Sequence, residues 1–360
     1  MLKISIRRKV TLIIMLCAAT ILAGCGKSNS SVNVYTTSIQ SAAVSSSEFS
    51  SDVQSQKTTV VYSNDPKNAC SITFDGFKII VSGKYSDVFA GVREYNTPMN
   101  IESSFDGDTL TCTLTPKNEK NDKYGWFYIL DANNYLHIVN IEFTENGIKL
   151  PDVSDVVRGN DKVTNTVVEL SEAQTAKYIT LDGSRDKIPQ ILDEIQKISD
   201  EICEGIDSDY EKLRAISHWV SEYLYYDYPA EHNGIPQECL SLEYMLNNRS
   251  SVCGGYSNLT SALCAAQGIR CLNIIGKALN DKSCFAQGVE GGLHEWNVAE
   301  IDGEKIILDS GWDSMNTFGT DGTFETNSMC FENFNIGKEV FALNHKAQTA
   351  EYRDYQALIK

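Results

Sequence analysis

Ser250-Ser251-Val252-Cys253-Gly254-Gly255-Tyr256 decides how this chain is read. Small polar residues lead into two glycines. An apolar, alanine-rich run then ends at Gly268. The pattern predicts a helix over Val252 to Gln267, with Ser251 as its N-cap and Gly268 as its stop. Cys253 then falls in the first turn, where backbone N–H groups and the helix dipole favour a thiolate over a thiol. The two glycines are expected to leave room for a substrate backbone. Cys264 lies about three turns further on, on the same face but deeper, and reads as a packed core thiol.

A thiolate of this kind needs a base, and the next strand offers one. His294-Glu295-Trp296-Asn297-Val298-Ala299-Glu300-Ile301 is followed by Asp302-Gly303, a strong two-residue hairpin signal, and by a return strand over Glu304 to Asp309. With Asp302-Gly303 as the loop, Ile301 pairs with Glu304 and Asp309 falls opposite Trp296. His294 and Asp309 are then diagonal neighbours on one face. A one-residue slip would put them on opposite faces. Taken singly, each residue has a duller reading: core thiol, locally satisfied histidine, turn aspartate. Together they describe a nucleophile, Cys253, a general base and acid, His294, and a carboxylate that orients the imidazole, Asp309.

Outward from this core, helical spacing dominates from Ile188 to Tyr226. Ile188, Ile191, Ile195 and Ile198 mark one helix. Leu213, Ile216, Trp219, Val220 and Leu224 mark a second, capped by Asp207 or Ser208, with Trp219 read as core. A further helix is expected around Leu240 to Leu246. Helices followed by strands predict an α+β domain, helices packed on an antiparallel sheet, over residues 156–350. Residues 58–155 read instead as short strands between turns such as Asp75-Gly76, Asp106-Gly107 and Asn133-Asn134. Thr109 to Thr115 alternates strictly, and the whole suggests a small β-sandwich. It carries no catalytic constellation.

The N-terminus has a basic start, Arg7-Arg8-Lys9, an apolar run from Val10 to Leu22, and Leu22-Ala23-Gly24-Cys25. That is a signal-peptide pattern, too short for a membrane span. Its last four residues resemble the bacterial lipobox, in which Cys25 is lipidated and becomes the first mature residue. Residues 26–57, rich in serine, threonine and asparagine, read as a flexible tether. The expected location is therefore outside the cytoplasm, on a lipid anchor.

The formal charge is −17, and the first 25 residues contribute only basic groups, so the remainder is more acidic still. A nucleic-acid partner is set aside on this ground. Of eleven cysteines, Cys70, Cys112, Cys203, Cys239, Cys264, Cys271, Cys284 and Cys330 have no assigned role. An even number outside the cell permits disulfides, Cys70–Cys112 among them. A zinc site from Cys271, Cys284 and His294 is conceivable but lacks paired ligand spacing. No metal and no cofactor are expected.

Ser251-Val252-Cys253-Gly254-Gly255-Tyr256, the run Leu263 to Ile269, His294-x-Trp296-Asn297 and Leu308-Asp309-Ser310-Gly311-Trp312-Asp313 together resemble the transglutaminase-like superfamily. Tyr225-Tyr226-Asp227 and the tail Phe331 to His345 are similar to bacterial members. The resemblance covers residues 187–346. It implies a papain-like fold and a Cys253-His294-Asp309 triad acting through a thioester, with crosslinking, deamidation or peptide cleavage as the outcome. By the same analogy Tyr226 is an oxyanion donor beside the Cys253 backbone N–H. The expected partner is a protein or peptide substrate at the cell surface. The superfamily also has inactive members, so a non-catalytic peptide-binding module is the alternative.

Overall fold

The computed structural model describes residues 58–62, 70–82, 85–92, 97–98, 100–106, 109–115, 123–131, 136–279, 283–327, 333–335 and 337–358. The signal segment, Cys25, the serine-rich tether and Cys330 lie outside them. The chain is a mixed helix-and-sheet protein.

The N-terminal strands form two antiparallel sheets. One orders β1 (Thr58–Tyr62), β2 (Cys70–Asp75), β3 (Lys78–Ser82), β7 (Thr109–Thr115) and β6 (Asn100–Asp106). The other orders β10 (Gly147–Lys149), β9 (Leu136–Thr144), β8 (Tyr124–Asp131), β4 (Tyr85–Val92) and β5 (Thr97–Pro98). The strict alternation at Thr109 to Thr115 is the full length of β7. The register argues against a Cys70–Cys112 disulfide. Ser71 pairs Ser82 and Ile79 pairs Cys112, so the two cysteines sit two strands apart and out of step along them. That is well beyond the ~7 Å Cα limit for a bridge.

The remaining residues build the domain that holds the site. Helix α1 (Ser154–Thr164) leads in. α2 (Ile188–Ile202) has Pro189 in its first turn and buries Ile188, Ile191 and Ile195 of the expected stripe, together with Leu192; Ile198 is only half-buried against the same cluster. α3 (Asp209–Tyr223) is capped by Ser208, whose Oγ accepts from Glu211 N, and buries Leu213, Ile216 and Val220. Trp219 is half-buried at the edge of this core and stacks on Tyr223 at 4.4 Å. The helix expected around Leu240 is a 3-10 turn, Gln237–Leu240, followed by α4 (Leu242–Asn248).

α5 (Cys253–Ala266) is buried along almost its whole length and packs with α2, α3 and α4 in one apolar cluster. Gln267 ends it and Gly268, at φ 73, turns the chain away; Ile269 N then donates to Cys264 O.

The sheet beside α5 orders β11 (Val167–Glu169), β19 (His345–Tyr352), β14 (Arg270–Ala278), β15 (Gly292–Ile301) and β16 (Glu304–Leu308). β11 and β19 run parallel, and the other pairs are antiparallel. β15 and β16 pair in the register read from Asp302-Gly303, with Ile301 opposite Glu304 and Asn297 opposite Leu308. Both turn residues have positive φ, 53° and 82°, as a type I′ hairpin requires. β16 ends one residue early, because Asp309 leaves the ladder to cap α6 (Ser310–Asp313). β19 carries a bulge against β14, a shift in register between Ile275 and Gly276. A small second sheet orders β13 (Ser250–Ser251), β12 (Tyr225–Asp227), β17 (Thr317–Phe318) and β18 (Phe324–Glu325).

Candidate active site

Cys253 opens α5 and is partly exposed, unlike Cys203, Cys239, Cys264, Cys271 and Cys284, which are buried. All six are free thiols. The N-cap is Val252, in extended conformation and with no side-chain cap. Ser251, expected in that role, lies in β13 and donates its Oγ to the Cys239 carbonyl at 2.6 Å. The first turn of α5 thus has no side chain of its own folded over its N–H groups.

The two glycines differ from the sequence expectation. A Cβ on Gly255 would stand 1.8 Å from Ser251 Oγ, and one on Gly254 would meet Glu295 Oε2 and Leu240 Cδ2 at 3.1 Å. They let the helix start seat against its own domain. The space they leave is filled by Ser251 and Glu295 and does not wait for a substrate.

His294 and Asp309 meet as the hairpin register requires. Nε2 of His294 lies 2.6 Å from Oδ2 of Asp309, with both side chains buried. Asp309 Oδ1 accepts from Trp312 N at 2.9 Å, so capping α6 also fixes the carboxylate plane. Nε2 being taken, the other imidazole nitrogen, Nδ1, is left for Cys253, which lies close enough to raise the pKa of the ring. Burial opposes a charged imidazole, but Asp309 and Cys253 more than offset it, and His294 is pushed up to about 10. Burial likewise opposes an ionised Asp309, yet His294 and then His345 hold its carboxyl well below the usual carboxylate range.

Tyr226 stands on β12, whose backbone pairs with Ser251 just ahead of Cys253. Burial first, and the neighbouring Cys253 second, push its hydroxyl far above the ordinary tyrosine value. It therefore stays a hydrogen-bond donor at any working pH. Asp227 beside it is structural: Oδ1 accepts from Ala230 N at 2.9 Å and Oδ2 from Ser250 Oγ at 2.8 Å, tying β12 to β13.

The structure adds a residue that sequence reasoning did not assign. His345 is fully buried, with Nε2 3.3 Å from the same Asp309 Oδ2. Its ring stacks on Phe341 at 3.8 Å and lies 4.2 Å from Trp312.

Among the described residues, the group whose ligand atoms converge closely enough to hold a metal ion is His294, Asp309 and His345, within 4.8 Å of one another. The 2.6 Å between His294 and Asp309 is a proton-sharing distance. Two ligands on one tetrahedral zinc would stand about 3.3 Å apart. The zinc set considered from Cys271, Cys284 and His294 does not assemble. Cys271 pairs with Ala299, five positions along β15 from His294, and hydrogen-bonds the core thiol Cys264.

Comparison with known proteins falls on this same region. Residues 196–316, which include Cys253, His294 and Asp309, match the family model of the transglutaminase-like superfamily. The chain carries a transglutaminase-like domain. Its sequence is similar to kyphoscoliosis peptidase of Mus musculus, 25% identical over 154 residues, or 42% of this chain and 23% of that protein. Against the Homo sapiens protein of the same name the match is 28% over 143 residues, 39% and 21% of the two chains. The matched segment is thus less than a quarter of the length of these curated relatives. A solved structure described as a TGase aligns with 64% of this chain and 46% of its own at 11% identity and a TM-score of 0.28. The transglutaminase-like domain is compatible with cysteine-type catalysis.

Proposed function

We propose that this chain is a cysteine acyl-transfer enzyme acting on glutamine side chains or peptide amides of proteins, anchored outside the cytoplasm through Cys25. The observation that carries the reading is the imidazole of His294, held at 2.6 Å by a buried carboxylate and close enough to a partly exposed thiol for Cys253 to raise its pKa. In this mechanism His294 Nδ1 takes the Cys253 proton, and the thiolate attacks the amide carbon. The Cys253 backbone N–H and the Tyr226 hydroxyl receive the oxyanion. His294 then returns the proton to the leaving nitrogen, the C–N bond breaks, and a thioester remains. An amine resolves it to a new amide, or water resolves it to an acid. Asp309 keeps the imidazole in the tautomer that presents Nδ1 to sulfur.

The similarity to proteins called peptidases favours hydrolysis as one outcome. The two N-terminal sheets, in this reading, pair as a small sandwich that spaces the domain from the membrane. Buried Phe74, Ile79 and Val81 of one sheet and Trp126, Ile141 and Ile148 of the other, all in one apolar cluster, support that pairing.

The deciding experiment offers the protein a mixed panel of polypeptides with and without a labelled primary amine. Label incorporation lost in Cys253→Ala indicates crosslinking, and Cys253-dependent release of peptides indicates proteolysis. Neither product, together with alkylation of Cys253 no faster than that of the buried thiols, would leave peptide binding as the role of the cleft. The anchor has its own test: incorporation of labelled fatty acid in bacteria, which Cys25→Ser should abolish.

A further inference from the structure

Asp309 has two imidazoles on one oxygen, and the acyl-transfer steps use only one of them. We propose that His345 is a positioning residue of this site, donating its Nε2–H to Asp309 Oδ2 so that the carboxylate is locked in the orientation that His294 needs. The purpose of this bond rests on the acyl-transfer reading; its geometry does not.

Three donors then surround the carboxylate: Trp312 N on Oδ1, and His294 and His345 on Oδ2. With only His294 and Trp312, the carboxylate could still pivot about the axis joining those two partners. A third donor from another direction removes that freedom. His345 is suited to the task because it cannot move. It has no exposed surface, its ring lies nearly parallel to Phe341, and Trp312 closes another side. Burial pushes it down to about 4, against the pull of Asp309 and the Phe341 carbonyl, so at neutral pH the ring carries one proton.

The neighbours decide which nitrogen bears that proton. Nδ1 faces the Asn344 side-chain amide at 2.8 Å, and an amide can present either its oxygen or its NH2. The carboxylate facing Nε2 can only accept. As placed, the Asn344 Nδ2 is buried with no partner. Turning that amide over brings Nδ2 to Nδ1, and the charged carboxylate of Asp309, a stronger acceptor than the neutral Phe341 carbonyl, draws the ring proton to Nε2.

The experiment compares wild type, His345→Phe, His345→Gln, Asp309→Asn and the double variant Asp309→Asn/His345→Phe. The first reading is the alkylation rate of Cys253 by iodoacetamide at pH 7. His345→Phe keeps a flat ring and loses the donor, and is expected to slow alkylation about tenfold, one hydrogen bond's worth to a charged group. His345→Gln, which keeps an N–H at similar reach, should recover most of that loss. In the Asp309→Asn background the His345→Phe change should cost nothing further, because the two act as one unit. A wild-type rate in His345→Phe, no recovery in His345→Gln, or a full additional loss in the double variant would each overturn the proposal and leave His345 as packing alone. If His345→Phe does not fold, His345→Asn, whose shorter amide stops short of Asp309, takes its place.

The second reading needs no reactive thiol. A donor lost from a carboxylate raises its pKa. The carboxyl carbon of Asp309, followed by NMR through acid, should therefore titrate about one pH unit higher in His345→Phe than in wild type. An unmoved carboxyl overturns the positioning role. A wild-type Cys253 without enhanced reactivity would instead overturn the acyl-transfer reading, and the carboxyl titration would still decide the role of His345.

Discussion

His294 and Glu295 are neighbours on β15 and point to opposite sides of it, each into a buried ionic group of a different kind. His294 meets Asp309. Glu295 accepts from Arg353 at 3.1 Å, and Arg353 is itself buried, bonded to Asn258 and Glu351 and laid over the Tyr178 ring at 3.7 Å. On one side the cation is an imidazole, whose proton can leave. On the other it is a guanidinium, which stays charged at every working pH. Both groups bear on α5: His294 on its first residue, and Glu295 on Gly254 just behind it. One strand thus presents a movable proton on one face and a fixed strut on the other, and the strut holds the helix whose first residue the proton serves.

The contrast can be broken from either side. Removing the thiol is the largest expected effect. Cys253→Ala should cut turnover by about 10⁶-fold with no loss of melting temperature, and a residual rate within tenfold of wild type would end the role of Cys253 as nucleophile. Asp309→Asn keeps the shape and loses the charge. A drop of about 10⁴-fold in turnover is expected, again with the fold intact by circular dichroism.

The opposite pattern is expected across the strand. Arg353→Met strips a buried Glu295 of its counter-charge and should destabilise the fold by about 3–5 kcal/mol in urea unfolding, while each remaining folded molecule still alkylates at Cys253. A stable Arg353→Met with a dead thiol would reverse the two roles.

The smallest effect concerns pH. His345 is held neutral with a folded pKa of about 4, below the ordinary histidine value, so the unfolded chain takes up its proton first as pH falls. Its contribution is complete above about pH 6.5 and is lost toward pH 4, with a slope of up to about 1.4 kcal/mol per pH unit. Wild type should therefore lose more stability than His345→Phe over that interval, and parallel curves would refute it. His294 has the opposite sign. Raised to about 10, it stabilises at neutral pH, and that contribution disappears as the pH climbs through 10.

What could be read from the sequence was local. Asp302-Gly303 sets the hairpin register, and the register alone puts His294 and Asp309 on one face, because all of it is decided within sixteen consecutive residues. The helix start at Cys253 was legible for the same reason. Its cap was not: Ser251 looks like a cap in one dimension, but the Cys239 carbonyl, twelve residues earlier, claims its hydroxyl. Gly254 misled in the same way, since what fills its space is Glu295, some forty residues away. His345 is the clearest case of a residue hidden from local reading. It lies 36 positions beyond Asp309 and reaches it across β14.

The bulge in β19 gives that hidden residue a further meaning. From Glu351 to Thr349 the strand pairs with Asn273 to Ile275, and from Ala347 to His345 it pairs with Gly276 to Ala278, so Gln348 is passed over. A strand alternates sides at every step, and one skipped residue inverts the alternation beyond it. Ala350 is buried on the same side as Ile274; after the inversion it is Ala347 and His345 that are buried, while Lys346 points to solvent. Were Gln348 taken into the ladder instead of passed over, the parity would run on, and Lys346 would stand opposite Ala278, where the second imidazole stands. Gln348 therefore acts as a punctuation mark in the chain: an exposed residue, passed over by the ladder, decides whether a neutral ring or a primary ammonium is delivered to the site. Drawing Gln348 into the pairing would exchange one for the other without changing any amino acid, whereas deleting it would leave a regular strand with His345 still opposite Ala278.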